Sequence, residues 1–328
     1  MSKVRVIAFK TPSLRRWKTM PAGAGGRSRR RRPRVGTGAL VLVALIGVTA
    51  CSTSTQPGAD MPDTNPPSVE GAPEQSPAES QGGTSAHSAR WHPRPGDAWQ
   101  WQLAGDLDLS VDVPIYDIDW QTPASVVAQL HRLGRHVICY VSVGTWEAYR
   151  PDAGAFPEDV KGAPLSDYPD ERWLDIRRID RLAAPLLARF DRCRDAGFDA
   201  VEADNVDAYT NDSGFDLSRT DQLRFNRWIA RAVHARGMAV ALKNDLDQVH
   251  ELVDDFDFAV NEQCVEYDEC TALLPFVRAG KAVLHAEYNV PTQQMCDSTG
   301  PLGFSSIRKH QRLDAYRESC SNTEGDRK

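Results

Sequence analysis

From residue 91 onward the chain repeats one pattern: apolar positions at helical spacing, a glycine, then a short apolar run. Gly134 stands before HVICYVSV, Gly197 before FDAVEAD, Gly237 before MAVALKN and Gly280 before KAVLHAEY. A glycine just past a helix accepts the left-handed backbone that closes the last turn without a steric penalty. Ahead of Gly237, residues Phe225, Trp228, Ile229, Ala232 and Val233 fall on one helical face. Alternating helix and strand signals imply a parallel sheet. The pattern predicts strands at 99–103, 113–118, 137–143, 198–203, 238–243, 256–261, 282–287 and 304–308. Eight strands in about 230 residues suit a (β/α)8 TIM barrel in a single catalytic domain. The stretch GDLDLSVD between the first two strands is too short for a full helix. An open doubly wound sheet is the alternative, but no GxGxxG follows a strand.

The pattern is absent before residue 91. Residues 27–34 read RSRRRRPR, an apolar stretch runs from Val35 to Ala50, and Val48-Thr49-Ala50-Cys51 closes it. A basic region, a short apolar region and small residues make an export signal. Cys51 after small residues resembles a lipobox, which implies a bacterial lipoprotein lipidated at Cys51 and held on the outer face of the cell membrane. Residues 51–90 hold 21 Ser, Thr, Pro or Gly and no Leu, Ile, Phe, Tyr or Trp, so they read as a disordered linker. The folded body spans 91–328.

Removing the leader changes the charge picture. The whole chain carries a net −6, but all of residues 1–50 is basic or neutral, and from Cys51 onward 27 basic residues face 45 acidic ones, a net of −18. That balance argues against a nucleic-acid partner. After Cys51, six cysteines remain, in a compartment where disulfides persist. The expected pairs are Cys264–Cys270, closing a small loop, and Cys296–Cys320, tying down a C-terminal tail. Cys139 and Cys193 either pair or stay as buried thiols. There is no CxxC and no HExxH, so a zinc site is not expected, nor is a cofactor. The protein is expected to be a monomer.

In a barrel, chemistry gathers at the C-terminal ends of the strands. Here those ends read Tyr116-Asp117-Ile118-Asp119-Trp120, Tyr140 with Ser142, Glu202-Ala203-Asp204-Asn205, Lys243-Asn244-Asp245, Asn261-Glu262-Gln263 and Glu287-Tyr288-Asn289. Carboxylates with amides and aromatic rings are the groups that cleave and hold sugars. Single strand-end acids such as Asp207, Asp212 and Asp245 also serve as turn formers, and the tryptophans near residue 100 read as core packing. Period-two alternation sets Ala200, Glu202 and Asp204 on one face, with Glu202 one layer deeper.

The ordered runs WQWQL, PIYDIDW, VICYVSVG, GFDAVEADNVDAY, LKND, VNEQC and HAEY resemble glycoside hydrolase family 114, over roughly Trp91 to Val290. The resemblance implies a (β/α)8 barrel and cleavage of α-1,4-linked galactosamine polymers, a cationic polysaccharide partner, by two carboxylates without a metal. It makes Asp204 and Glu262 the catalytic pair. Asp204 is expected as nucleophile and Glu262 as acid/base, with the reverse assignment open and a retaining outcome expected. Asp117, Asp119, Tyr140, Asn205, Lys243, Asn244, Glu287 and Tyr288 are candidates for the sugar-binding shell. A polysaccharide-binding lipoprotein without catalysis, or a hydrolase of another α-linked glycan, are the alternatives.

Overall fold

The computed structural model describes residues 90–320. The leader at 1–50, Cys51 and the linker up to residue 89 lie outside the described residues. Eight parallel strands follow one another around a barrel: β1 Trp99–Gln102, β2 Ile115–Asp119, β3 His136–Ser142, β4 Ala200–Asp204, β5 Ala239–Lys243, β6 Phe258–Glu262, β7 Val283–Glu287 and β8 Ser305–Arg308. Each expected strand is present. A two-residue strand, Glu318–Ser319, adds antiparallel to β8.

Alternation sorts the side chains onto two faces. Inside, Ile115, Ile138, Ala200, Ala239, Phe258, Leu284 and Ile307 pack with Trp99 and Trp101. The alanines of β4 and β5 make room for the two indoles, which are 0% and 1% exposed and belong to the core, as expected. Outside, Ile118, Val137, Val141, Val201, Val240 and Leu242 meet the helix residues Val127, Leu130, Leu186, Phe190, Phe225 and Ile229. Burial of both faces is what a parallel sheet under helices requires.

The helical layer is uneven. Helices α1 Ala124–Arg132, α2 Ile179–Ala196 and α3 Arg219–His234 are substantial, whereas Val249–Leu252, Leu274–Arg278 and Thr292–Thr299 are short. No helix joins β1 to β2, as the short GDLDLSVD segment foretold. Gly197 ends α2 at φ 91°, its N–H donating to the Arg194 carbonyl and the Phe198 N–H to the Cys193 carbonyl. Ser218 and Asp221 form a reciprocal cap at the start of α3.

Side chains bridge the seam between β8 and β1. Trp99 Nε1 donates to the Ser305 carbonyl at 2.8 Å, and Arg317 Nε to the Trp99 carbonyl at 2.8 Å. Lys309 Nζ donates to Gln100 Oε1 at 3.0 Å. Burial lowers the Lys309 ammonium to about 7.

The six cysteines form Cys139–Cys193, Cys264–Cys270 and Cys296–Cys320. The first clamps β3 to α2, resolving the alternative left open for that pair. One feature had no counterpart in the sequence pattern: a three-stranded antiparallel sheet inserted after β3, of Thr145–Glu147, Lys161–Pro164 and Glu171–Leu174, with the last in the middle.

Candidate active site

Three adjacent strands end in the groups that define the site. Lys243, closing β5, is 2% exposed in its side chain, and its ammonium lies 3.0 Å from Glu202 Oε1, 3.1 Å from Asp204 Oδ1 and 3.0 Å from Glu262 Oε2. Its N–H donates to Asp204 Oδ1, and Glu202 and Glu262 stand within ion-pair distance of the same charge. Its underside faces the Trp101 ring, 4.7 Å from the centroid.

The two upper carboxylates have further donors. Tyr140 Oη donates to Asp204 Oδ2 at 2.7 Å, and the Asn205 N–H to Asp204 Oδ1 at 2.8 Å. Tyr288 Oη donates to Glu262 Oε1. The Glu262 N–H donates to Asn244 Oδ1 at 2.9 Å, which also accepts from Asn261 Nδ2 at 3.1 Å.

Sharp turns hold these groups in place. Asn205, Asn244, Asp245 and Gln263, the residues that immediately follow the three strands, adopt φ of 62°, 47°, 45° and 62°. Asn and Asp tolerate this left-handed geometry because a short polar side chain can bond locally; Gln263 has less help. Such backbone clusters at functional sites because the surrounding fold over-determines it. The Asn205 carbonyl approaches Gly144 so closely that a Cβ there would lie 1.6 Å from it. Glycine at 144 is thus what lets the chain after β3 pass the Asp204 turn.

Burial and neighbouring charge set the protonation states. Burial alone would push the Lys243 ammonium down, but Asp204, Glu202 and Glu262 outweigh it and hold it well above the usual lysine range. Asp117, fully buried and beside Glu202, is pushed well above the carboxylate range, first by burial and then by that charge. Burial also raises Glu202, with Lys243 opposing. Neutral Asp117 and ionised Glu202 against Lys243 is the state this favours. Burial, then Asp204 for one and Glu262 for the other, raises Tyr140 and Tyr288 well above the tyrosine range, so both are hydroxyl donors at neutral pH.

The structure therefore brings Asp204, Glu262, Lys243, Tyr140, Tyr288 and Asp117 together, and Glu202 completes the floor. Asn205 and Asn244 form the turns under the two acids. Two candidates lie elsewhere. Asp119 is ion-paired with Arg150, 2.7 Å away. Glu287 falls on the outward face of β7, where its carboxylate accepts the Val265 N–H at 2.8 Å and sits 3.0 Å from His285 Nε2. Asp245 is buried, accepts from Asn226 Nδ2 at 2.8 Å, and is raised to about 9 chiefly by burial.

Three further residues face the site: Asp207, read from the sequence as a turn former, and two that were not anticipated, Glu171 and Tyr168. Burial and then Asp204 raise Asp207 to about 6. Burial and then Glu147 raise Glu171, in the inserted sheet, to about 7. Tyr168, on the turn before Glu171 and 43% exposed, is raised to about 12 by burial and then Glu262 and Asp204. Among the described residues one group has metal-ligand geometry, Cys264, Cys270 and His285, and its cysteines form a disulfide.

Residues 80–325 match the model of glycoside-hydrolase family GH114. The crystal structure of Aspergillus fumigatus Ega3 in complex with galactosamine is 39% identical, with a TM-score of 0.68 over 71% of this chain and 98% of that one. The glycoside hydrolase domain of PelA from Pseudomonas aeruginosa is 14% identical, with a TM-score of 0.55 over 68% of this chain and 98% of that one, a likeness of fold. No curated protein sequence matches the chain significantly.

Proposed function

This chain belongs to glycoside-hydrolase family GH114, and from that premise we propose an endo-acting hydrolase of α-1,4-linked galactosamine polymers, with Asp204 and Glu262 as its catalytic pair. The observation that carries the reading is the Lys243 ammonium seated between Asp204 and Glu262, at 3.1 and 3.0 Å. Oxygens at those distances from one nitrogen are at most about 6 Å apart, which favours a retaining pair over the roughly 6.5–9.5 Å that leaves room for an inverting water.

In this mechanism Glu262 acts in its protonated form, the proton on Oε1 with Tyr288 Oη turned to accept it, and gives that proton to the glycosidic oxygen as an Asp204 oxygen bonds to the anomeric carbon. The leaving sugar departs with that proton. Glu262, now a carboxylate, takes a proton from water, whose oxygen attacks the anomeric carbon and frees Asp204. Tyr140 and the Asn205 N–H aim Asp204, and Tyr288 aims Glu262. Glu202 anchors Lys243 from below, with Asp117 beside it.

The substrate assignment draws on Ega3, crystallised with galactosamine, and on the net −18 that would draw a cationic polymer. Incubation with de-N-acetylated galactosamine polymer is expected to release reducing ends as internal cuts. NMR of the first product should show the α-anomer. A β-anomer overturns retention, and binding without any product favours a non-catalytic polysaccharide-binding protein.

Our reading extends to location. In this reading the enzyme acts outside the cell, lipid-anchored to the membrane through the 51–90 linker, which the basic block, the apolar run and Cys51 support. Mass spectrometry of membrane-extracted protein is expected to find an N-terminal, acylated Cys51. An intact leader, or a bare Cys51 thiol, removes the anchor.

A further inference from the structure

The inserted sheet is joined to the Asp204 turn by an unbroken chain of hydrogen bonds. Thr145 Oγ1, at the start of the insertion, donates to Glu171 Oε2 at 3.0 Å, and the one Tyr149 hydroxyl proton is shared between Glu147 Oε1 at 2.9 Å and Glu171 Oε1 at 3.1 Å. Thr145 Oγ1 and Ser142 Oγ lie 2.5 Å apart, and Asn205 Nδ2 donates to both, at 3.0 Å to Ser142 and 3.3 Å to Thr145. The Asn205 N–H then reaches Asp204 Oδ1 at 2.8 Å. Ser142 is the register partner of Asp204 across β3 and β4, so the chain of bonds crosses the ladder at the level of that acid.

We propose that Glu171 is a positioning residue for Asp204, acting through Thr145 and Asn205. The proposal rests on the reading of Asp204 as nucleophile. Glu171 Oε2 accepts from Thr145 and Oε1 shares the Tyr149 proton with Glu147, contacts that suit the ionised carboxylate. That fixes the Thr145 hydroxyl, which in turn fixes the Asn205 side chain. Asn205 holds a left-handed backbone at φ 62° against Gly144, so its amide, and the Asp204 oxygen it addresses, follow its side chain.

The surroundings make this link responsive to pH. Glu147 on the neighbouring strand faces Glu171, and Asp204 faces it from β4, both disfavouring its charge. Tyr140, Tyr149 and Tyr168 complete the charged or titratable neighbours. Glu147 has its own cations, Arg150 Nε at 2.8 Å and Arg189 Nη1 at 3.2 Å, whereas the partners of Glu171 are hydroxyls. With burial added, the carboxyl sits at about 7, so it titrates in the working range. Protonation turns one acceptor oxygen into a donor and loosens the link.

The test compares pH–rate profiles of wild type, Glu171→Gln, Glu171→Asp and Thr145→Val on de-N-acetylated galactosamine polymer. Wild-type kcat is expected to rise through a limb near pH 7. In Glu171→Gln the limb is expected to vanish, with kcat at pH 8 down about 10- to 100-fold, as for a catalytic group misplaced by about 1 Å, and KM within twofold. Glu171→Asp should keep the limb. Thr145→Val, which fills the same volume without the hydroxyl, should reproduce the kcat loss, and it stands in if Glu171→Gln fails to fold. An unchanged limb with kcat within twofold in the Gln variant overturns the proposal, as does a loss confined to KM. Failure of the underlying reading shows separately, as hydrolysis retained by Asp204→Asn, and an inactive wild type removes both.

Discussion

Asp204→Asn and Glu262→Gln are each expected to cut hydrolysis of de-N-acetylated galactosamine polymer by about 10³-fold or more while leaving the fold intact. The amides fit the same bonds. In Asp204→Asn the amide oxygen can take the place of Oδ1, which accepts from Lys243 and the Asn205 N–H. Its NH2 then faces Tyr140 Oη, which can accept as well as donate. In Glu262→Gln the oxygen can face Lys243 and the NH2 the Tyr288 hydroxyl, in place of the present bonds. What is lost is chemical: an amide neither attacks the anomeric carbon nor delivers a proton. Circular dichroism and melting should match wild type, and activity kept by the folded variant would count against the role.

The two roles separate by rescue with azide in the corresponding alanine variants. If Asp204 is the nucleophile, Asp204→Ala opens the face opposite the leaving group, and azide attack there gives a β-glycosyl azide. Glu262→Ala retains the covalent intermediate, and azide then attacks from the other face to give the α-azide. The opposite pattern of products would exchange the two assignments.

How much of this could be read before the structure depends on what kind of information each residue carries. The strands were legible because short apolar runs recur after Gly134, Gly197, Gly237 and Gly280, all at positive φ. The catalytic floor was legible by parity: Ala200, Glu202 and Asp204 share the inward face, and so do Ala241 and Lys243. Glu287 shows where parity fails. In Val283–Glu287 every residue is buried, so the polar–apolar alternation that distinguishes the two faces of a half-exposed strand is absent. A strand-end acid there can point either way, and it points outward to Val265 and His285. Asp119 was indistinguishable from a sugar ligand because its partner, Arg150, arrives from 31 residues away. Glu171 and Tyr168 carried no signal at all. Their sheet has strands of three or four residues with mixed polarity, below the length at which period two can be told from chance.

Lys243→Met is expected to be the most damaging single change to the folded protein, and its effect should depend on pH. The variant removes one cation from among three carboxylates, of which Glu202 is 0% exposed. Breaking a buried ion pair from one side costs about 3–5 kcal/mol, because the surviving charge stays buried without a partner. Activity should fall with stability, since Asp204 and Glu262 lose the ammonium that spaces them. In the wild type, the Lys243 pKa is raised on folding, so its stabilisation is fully present below the unfolded lysine range and is lost only as pH rises through the higher folded value. Between pH 5 and 8 that contribution is constant. In the variant the orphaned Glu202, already raised by burial and relieved chiefly by Lys243 and less by Asp117, holds its proton to higher pH in the folded state than in the unfolded one. A carboxyl raised in this way lowers stability as pH climbs above its unfolded value. The melting deficit of Lys243→Met against wild type should therefore be small at pH 5 and widen toward pH 8. Lys243→Arg should narrow the stability deficit without restoring turnover, because a planar guanidinium on a longer stem cannot present three donors at the lysine's single point. A deficit that stays flat with pH, or an active Lys243→Met, would remove the ammonium from the centre of the site.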